Sequence, residues 1–262
     1  MTPGVNRILK IRLFGKPVKI ATTASGNTCG ARHWTDGKQE APDWPDNPLL
    51  RVHPGTGEIF WIDQCREVGW EGPGYPKRKY ARIPFARDPG LDDYRRALNG
   101  GWGDTPKKKS YLLLRFWWAA NDPCRRGEPN ANRPADFREK VLELISCIDP
   151  DDPDERILIA EMRRQLGDFA AANDLLERDV PQPCSFHRGI VRQWNDRNDT
   201  SVRELRELCA SPGPLALVPH ANERKDPPAG PTRRNGKINR RKLTGTFRSR
   251  IRRTLNRMFG RA

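Results

Sequence analysis

The chain has no C-x-x-C pair and no run approaching the ~20 apolar residues of a membrane span. Its six cysteines (Cys29, Cys65, Cys124, Cys147, Cys184 and Cys209) stand singly. They read as reduced, mostly buried thiols of a cytosolic protein, not as a disulfide framework. No apolar segment follows Met1, so Sec export is not expected. Hydrophobic residues are scarce, at 35% with a mean hydropathy of −0.83, which is low for one compact domain of 262 residues. The 24 prolines and 22 glycines point instead to a smaller core with extended arms. Also missing are GxxxxGK[ST], HExxH, GxSxG and a GxGxxG in a βαβ setting. Nucleotide hydrolases, zincins, α/β-hydrolases and dinucleotide enzymes therefore lack their signatures here. No cofactor, metal site or catalytic residue is expected, although an enzyme with an unrecognised site stays open.

Acidic residues are absent where the chain is most basic, from Arg240 to Phe259. Residues 221–262 hold 14 Lys and Arg against two acidic residues, which is +12 of the chain's +15. Leu243, Phe247, Ile251, Leu255 and Phe259 recur every four residues, with Met258 beside them. At helical spacing they form one apolar stripe. Arg240, Arg241, Lys242, Arg248, Arg250, Arg252, Arg253 and Arg257 fill much of the remainder. The pattern predicts a basic amphipathic helix over 237–262. Its partner is anionic: nucleic acid first, an anionic membrane surface second. Arginine outnumbers lysine, as suits bidentate phosphate contact. An acidic protein groove is a further option, and a solvated tail without a partner is the plainest one.

Upstream, residues 8–21 alternate as a β-hairpin around Gly15-Lys16-Pro17, and Glu58–Asp63 reads as a strand after the turn 53–57. Residues 69–91 show no period and read as a connector. From there the period is helical. Asp92 or Asp93 is expected to cap a helix through Leu98 that Gly100-Gly101 ends. Ser110 is expected to cap a helix carrying Leu112–Ala120, with Asn121-Asp122-Pro123 stopping it. Phe137–Ile148 is amphipathic. Asp154 is expected to cap the helix Ile157–Leu166, which pairs with Phe169–Leu176 around Gly167-Asp168. Further helices are expected over 188–194 and 202–209, then a Pro-rich linker over 211–236. The fold class is α+β, mainly α. Residues 1–68 form a small β unit, 69–91 a connector, 92–210 a compact helical domain, 211–236 a linker and 237–262 the tail helix.

The segment Ala160…Leu166-Gly167-Asp168-Phe169…Ala172…Leu176 resembles one tetratricopeptide-type helical hairpin. Small residues at 160 and 172 allow close approach, and Leu166, Phe169 and Leu176 are expected to be buried. An ordinary antiparallel helix pair accounts for the same pattern; a groove for a protein partner is the functional alternative. Ser25–Ala31, Trp34-Thr35-Asp36-Gly37-Lys38, Glu40-Ala41-Pro42, Phe60-Trp61 and Tyr111…Pro123 together resemble a family of uncharacterised bacterial proteins. That resemblance covers about residues 8–205 and implies an N-terminal zinc ribbon, in which two knuckles supply four thiolates. This chain departs from it. The first knuckle position reads Ile11-Arg12-Leu13-Phe14-Gly15, and the second His53-Pro54-Gly55-Thr56-Gly57. Only His53 remains a possible ligand, so a ribbon without zinc is expected, with Ile11 and Phe14 filling the space.

Other candidates are weaker. Cys184-Ser185-Phe186-His187 could be a thiol–imidazole pair or a metal knuckle, but reads as a loop cysteine and a surface histidine. Asp149, Asp151, Asp152, Asp154 and Glu155 read as helix capping before cation binding. At least one of Trp117 and Trp118 should be buried. Trp44 could stack on a base or pin its Pro-rich loop. The expected function is a non-enzymatic binding or adaptor protein acting through its tail, cytoplasmic, with a membrane-peripheral location as the alternative.

Overall fold

The structure is a computed structural model and describes residues 1–205 apart from 14, 73, 76, 129–132 and 180. Short strands come first: β1 (Thr2–Pro3), β2 (Asn6–Ile11), β3 (Pro17–Ile20), β4 (Thr23–Ser25), β5 (Arg32–His33), β6 (Gln39–Glu40), β7 (Leu50–Val52), β8 (Ile59–Trp61) and β9 (Cys65–Glu71). Helices follow: α1 (Lys77–Tyr80), α2 (Leu91–Asn99), α3 (Pro106–Arg125), α4 (Phe137–Ile145), α5 (Pro153–Gln165), α6 (Phe169–Glu177) and α7 (Gln182–Asp196). The class is mixed, with small antiparallel sheets and more helix than strand.

The expected hairpin forms as β2–β3, with Arg7 opposite Ile20 and Lys10 opposite Pro17. Its inward residues Leu9, Ile11, Val18 and Ile20 pack on Phe60. The stretch expected to be a patternless connector, 69–91, is partly structured, and its first three residues complete a strand that begins at Cys65. β9 adds to the free side of β2, from Asn6–Glu71 to Ile11–Cys65, with a bulge at Ile8/Leu9. Further on, residues 84–87 zip two sheets together. Lys19 N donates to Pro84 O and Ala86 N to Lys19 O, both at 2.8 Å, while Val52 and Arg87 exchange bonds of 3.0 and 2.9 Å. A short, irregular strand with proline at its start can do this from one edge without any sequence period.

The β7–β8 hairpin lies on the helices. Leu50, Val52, Ile59 and Trp61 share a core with Tyr94 and Ala97 of α2 and Tyr111, Leu112 and Phe116 of α3. The opposite face of α3 (Leu113, Leu114, Trp117) packs on Phe137, Val141 and Leu144 of α4 and on Ile159 and Met162 of α5. α3 is thus buried on two sides, which explains its nearly continuous apolar run from Tyr111 to Ala120.

Several helix ends differ from expectation. α2 is capped at Gly90, and the Asp93 carboxylate reaches back to accept Gly90 N at 3.0 Å. α3 begins a turn earlier than expected, because Thr105 Oγ1 accepts Lys108 N. Ser110 is internal and donates to Pro106 O. Pro123 does not stop α3; it sits in the last turn, where one lost hydrogen bond is tolerated. Asp152, not Asp154, caps α5 by accepting Asp154 N and Glu155 N, with Pro153 in the first turn.

The α5–α6 hairpin forms as expected, with Ala160 and Ala172 fully buried where the helices cross. Gly167 (φ 80°) takes the left-handed position. Its N–H reaches Arg164 O and that of Asp168 reaches Arg163 O, which closes a Schellman end. Leu176 is buried, but Leu166 and Phe169 are only half-buried, since α4 and α7 cover the joint incompletely. α7 packs on both hairpin helices and starts at Gln182. Val202–Leu205 are not helical; they run extended along the N-terminal loop. The linker and tail, 211–262, lie outside the described residues, as do the basic positions and the apolar stripe of the expected tail helix.

Candidate functional site

The motif Trp34–Lys38 is a tight loop joining β5 to β6. Gly37 (φ 79°) makes its turn, with Gly37 N to Trp34 O at 2.9 Å and Trp34 N to Lys38 O at 3.0 Å. The loop carries polar groups into the helical core, where each must find a partner. Asp36 is fully buried. Its carboxylate pairs with Arg125 and accepts Asn121 Nδ2 at 3.0 Å and Lys38 N at 3.1 Å; its carbonyl accepts Trp118 Nε1. Burial pushes the Asp36 carboxyl above its ordinary range, against the pull of Arg125. Gln165 Oε1 accepts both Asn121 Nδ2 and Trp117 Nε1, and Gln165 Nε2 donates to Glu161 at 2.7 Å.

Glu161 and Arg164, both without solvent exposure, form the second pair, with Arg164 Nε and Nη2 on the two carboxylate oxygens at 2.8 and 2.6 Å. Thr35 joins this pair to everything around it. Its hydroxyl donates to Glu161 at 2.6 Å and accepts Arg203 N at 3.1 Å. Its N–H donates to Arg203 O, and its carbonyl accepts His187 Nε2 at 3.0 Å. That carbonyl fixes the histidine as the Nε2–H tautomer. Burial, ahead of its other surroundings, holds the His187 pKa below the ordinary histidine range.

The same cluster grips the last described residues. Arg164 donates to Asp199 O and Ser201 O, Arg133 to Thr200 O, and Cys124 Sγ to Val202 O. Leu205 N donates to His33 O, Trp34 bridges Glu204, and Arg32 pairs with Glu204 at 3.0 Å. Val202 and Leu205 are buried. Residues 199–205, from which the chain continues into its basic tail, are thus built into the core.

Asp36, Glu161 and Arg164 are sealed from solvent and matched to partners within the protein. Cys184 and His187 are in helix α7, and both are buried, contrary to the loop-and-surface reading. Cys184 Sγ donates to Asp154 at 3.0 Å and His187 to Thr35 O. The acidic run at 149–155 does cap: Asp152 as above, and Glu155 by accepting Asp149 N at 2.8 Å. The other described cysteines are free thiols, as expected, but less buried: Cys29 and Cys147 are exposed, and Cys65 and Cys124 half-buried; Cys209 lies outside the described residues. Burial and then Asp63 push the Cys65 thiol up to about 11, so it stays protonated. Trp117 is buried, Trp118 partly so, and Trp44 is exposed on the turn Ala41–Trp44.

The turn after β2 and the turn before β8 border one cleft. Leu13 from the first and Thr56 and Gly57 from the second line one open cleft of 430 Å³, with Glu58, Ile59, Arg96, Gly100 and Trp102. The second turn is held by hydrogen bonds. His53 Nδ1 accepts Gly55 N and Thr56 N at 3.2 Å each, and Arg96 donates to Gly57 O at 2.6 Å. Burial, then Lys16, keeps the His53 pKa low. Among the described residues no group of three or more His, Cys, Asp or Glu side chains is placed to hold a metal ion.

Comparison of the chain with protein-family models, with curated proteins and with solved structures finds no match.

Proposed function

We propose that the chain is a non-enzymatic binding or adaptor protein whose body fixes the root of a basic tail, and that the tail engages nucleic acid. The carrying observation is the charge partition: 14 basic and two acidic residues over 221–262, with the rest of the chain near neutrality at about +3. A partner that neutralises those charges releases condensed counterions, which is the main driving term on a phosphate backbone. The clamp on 199–205 supports the adaptor half of this reading, because it gives the tail a defined point of departure.

The stripe Leu243, Phe247, Ile251, Leu255 and Phe259 favours one second reading, a peripheral anchor on anionic lipid. Among the described residues no helix is long and apolar enough to cross a membrane. In this proposal residues 1–68 are a zinc-ribbon-like unit that has replaced its metal by packing and hydrogen bonds. α5–α6 is a single tetratricopeptide-like hairpin, and a protein partner on the helical face remains part of the adaptor reading.

The test compares the full chain with a version ending at Leu205 on duplex DNA, RNA and anionic liposomes at several salt concentrations. Tail-dependent, salt-sensitive retention on nucleic acid alone supports the first reading. Salt-resistant, tail-dependent retention on liposomes supports the second. Equal retention of both proteins on all three surfaces overturns both.

A further inference from the structure

An open cleft lies between the two turns. Its volume falls within the ~300–1,000 Å³ of small-molecule sites. Leu13, largely exposed, and Ile59 supply apolar wall, and Trp102 supplies a ring. Arg96 uses only Nη2 on protein, toward Gly57 O and Asp93 Oδ1. Its Nε and Nη1, and the indole N–H of Trp102, meet no acceptor among the described residues. Two guanidinium groups, Arg87 at 2.8 Å and Arg96 at 3.0 Å, share the one Asp93 carboxylate, which leaves a net positive charge. The rim also carries Glu58, which opposes an anion, while Lys16 lies close enough to depress His53. Arg96 is more than half exposed, so these donors face solvent beside apolar wall, where an anion with an apolar part can take the place of their water.

We propose that this cleft binds a small apolar carboxylate. Arg96 and the Trp102 N–H meet the carboxylate, and Leu13 and Ile59 meet its apolar part. Because the cleft is open and covers only part of such a ligand, the affinity is expected to be about millimolar.

The experiment uses the full chain and 19F NMR titration with 4-fluorophenylacetate, and with 4-fluorophenylacetamide as its neutral counterpart. The acetate is expected to saturate within about 10 mM, and the amide to bind at least about fivefold more weakly. Arg96→Gln is expected to weaken the acetate about tenfold, and Glu58→Gln to tighten it about two- to fourfold. The two variants move in opposite directions, so a general loss of folding cannot mimic the result. Acetate binding unchanged by Arg96→Gln would place the anion on the basic tail and overturn the proposal. So would equal binding of acetate and amide, or no binding of the acetate.

Discussion

Arginine stands in opposite company in the two parts of this chain. In the body it is mostly an internal tie. Arg125 and Arg164 are buried against Asp36 and Glu161, and Arg133, Arg156 and Arg164 donate to backbone carbonyls at Gln165, Thr200, Asp179, Asp199 and Ser201. In residues 221–262 the same side chain has almost no acidic neighbour in sequence. On the proposed reading the body uses arginine for specificity of packing and the tail uses it for affinity. Total charge alone hides this, since the body's basic residues are nearly balanced.

The largest effect that sharpens the contrast is expected from Arg164→Ala. It leaves Glu161 buried and unpaired and frees two carbonyls of the 199–201 segment. A loss of about 3–5 kcal/mol in denaturant unfolding is expected, with no change in the salt dependence of nucleic-acid binding by the protein that remains folded. A stability loss under about 1 kcal/mol would mean that the pair is not the tie described. Phe169→Ala is expected to cost less, about 1–2 kcal/mol, because the ring is half-buried; 3 kcal/mol or more would indicate a fully enclosed joint.

A smaller effect concerns pH. His187 is held neutral, so its folded pKa lies below its unfolded value of about 6.5. Its contribution is fully present above that value and is lost as pH falls toward the folded pKa. Thermal unfolding followed from pH 7.5 to 5 is expected to show falling stability. His187→Gln, whose amide can still donate to Thr35 O, is expected to flatten that fall and leave the part due to His53. Identical pH profiles for the two proteins would contradict a neutral, buried His187.

Much of the helical layer was readable from period alone. Val141, Leu144 and Ile148, then Ile157, Ala160 and Leu176, lie where a stripe puts them, and Gly167 where a left-handed end is needed. The hairpin β2–β3 was equally plain, because its inner face alternates with Lys10 and Lys19 as neighbours. β9 was not, since an edge strand reading Cys-Arg-Glu-Val-Gly-Trp-Glu is exposed along much of its length and lacks a buried face. The start of α7 is hidden in the sequence, because Pro181 and Pro183 suit a loop, although proline in a first turn also starts a helix. The polar core was least legible. Thr35 meets Glu161 and Arg203 across separations of 126 and 168 residues, and no local pattern encodes that. One signal was available: Glu161, Arg164 and Gln165 sit at i, i+3 and i+4, on the face of α5 turned to the core.

The division of labour is tested most directly in the tail. Changing Arg248, Arg250, Arg252 and Arg253 to Gln removes four charges and keeps the apolar stripe; changing Phe247, Ile251 and Leu255 to Ser does the reverse. Binding to duplex DNA is measured as a function of salt. The account expects the Gln variant to flatten the log–log slope by up to about 3–4 units and the Ser variant to leave it nearly unchanged. A Gln variant with the parent slope, beside a Ser variant that no longer binds, would contradict it.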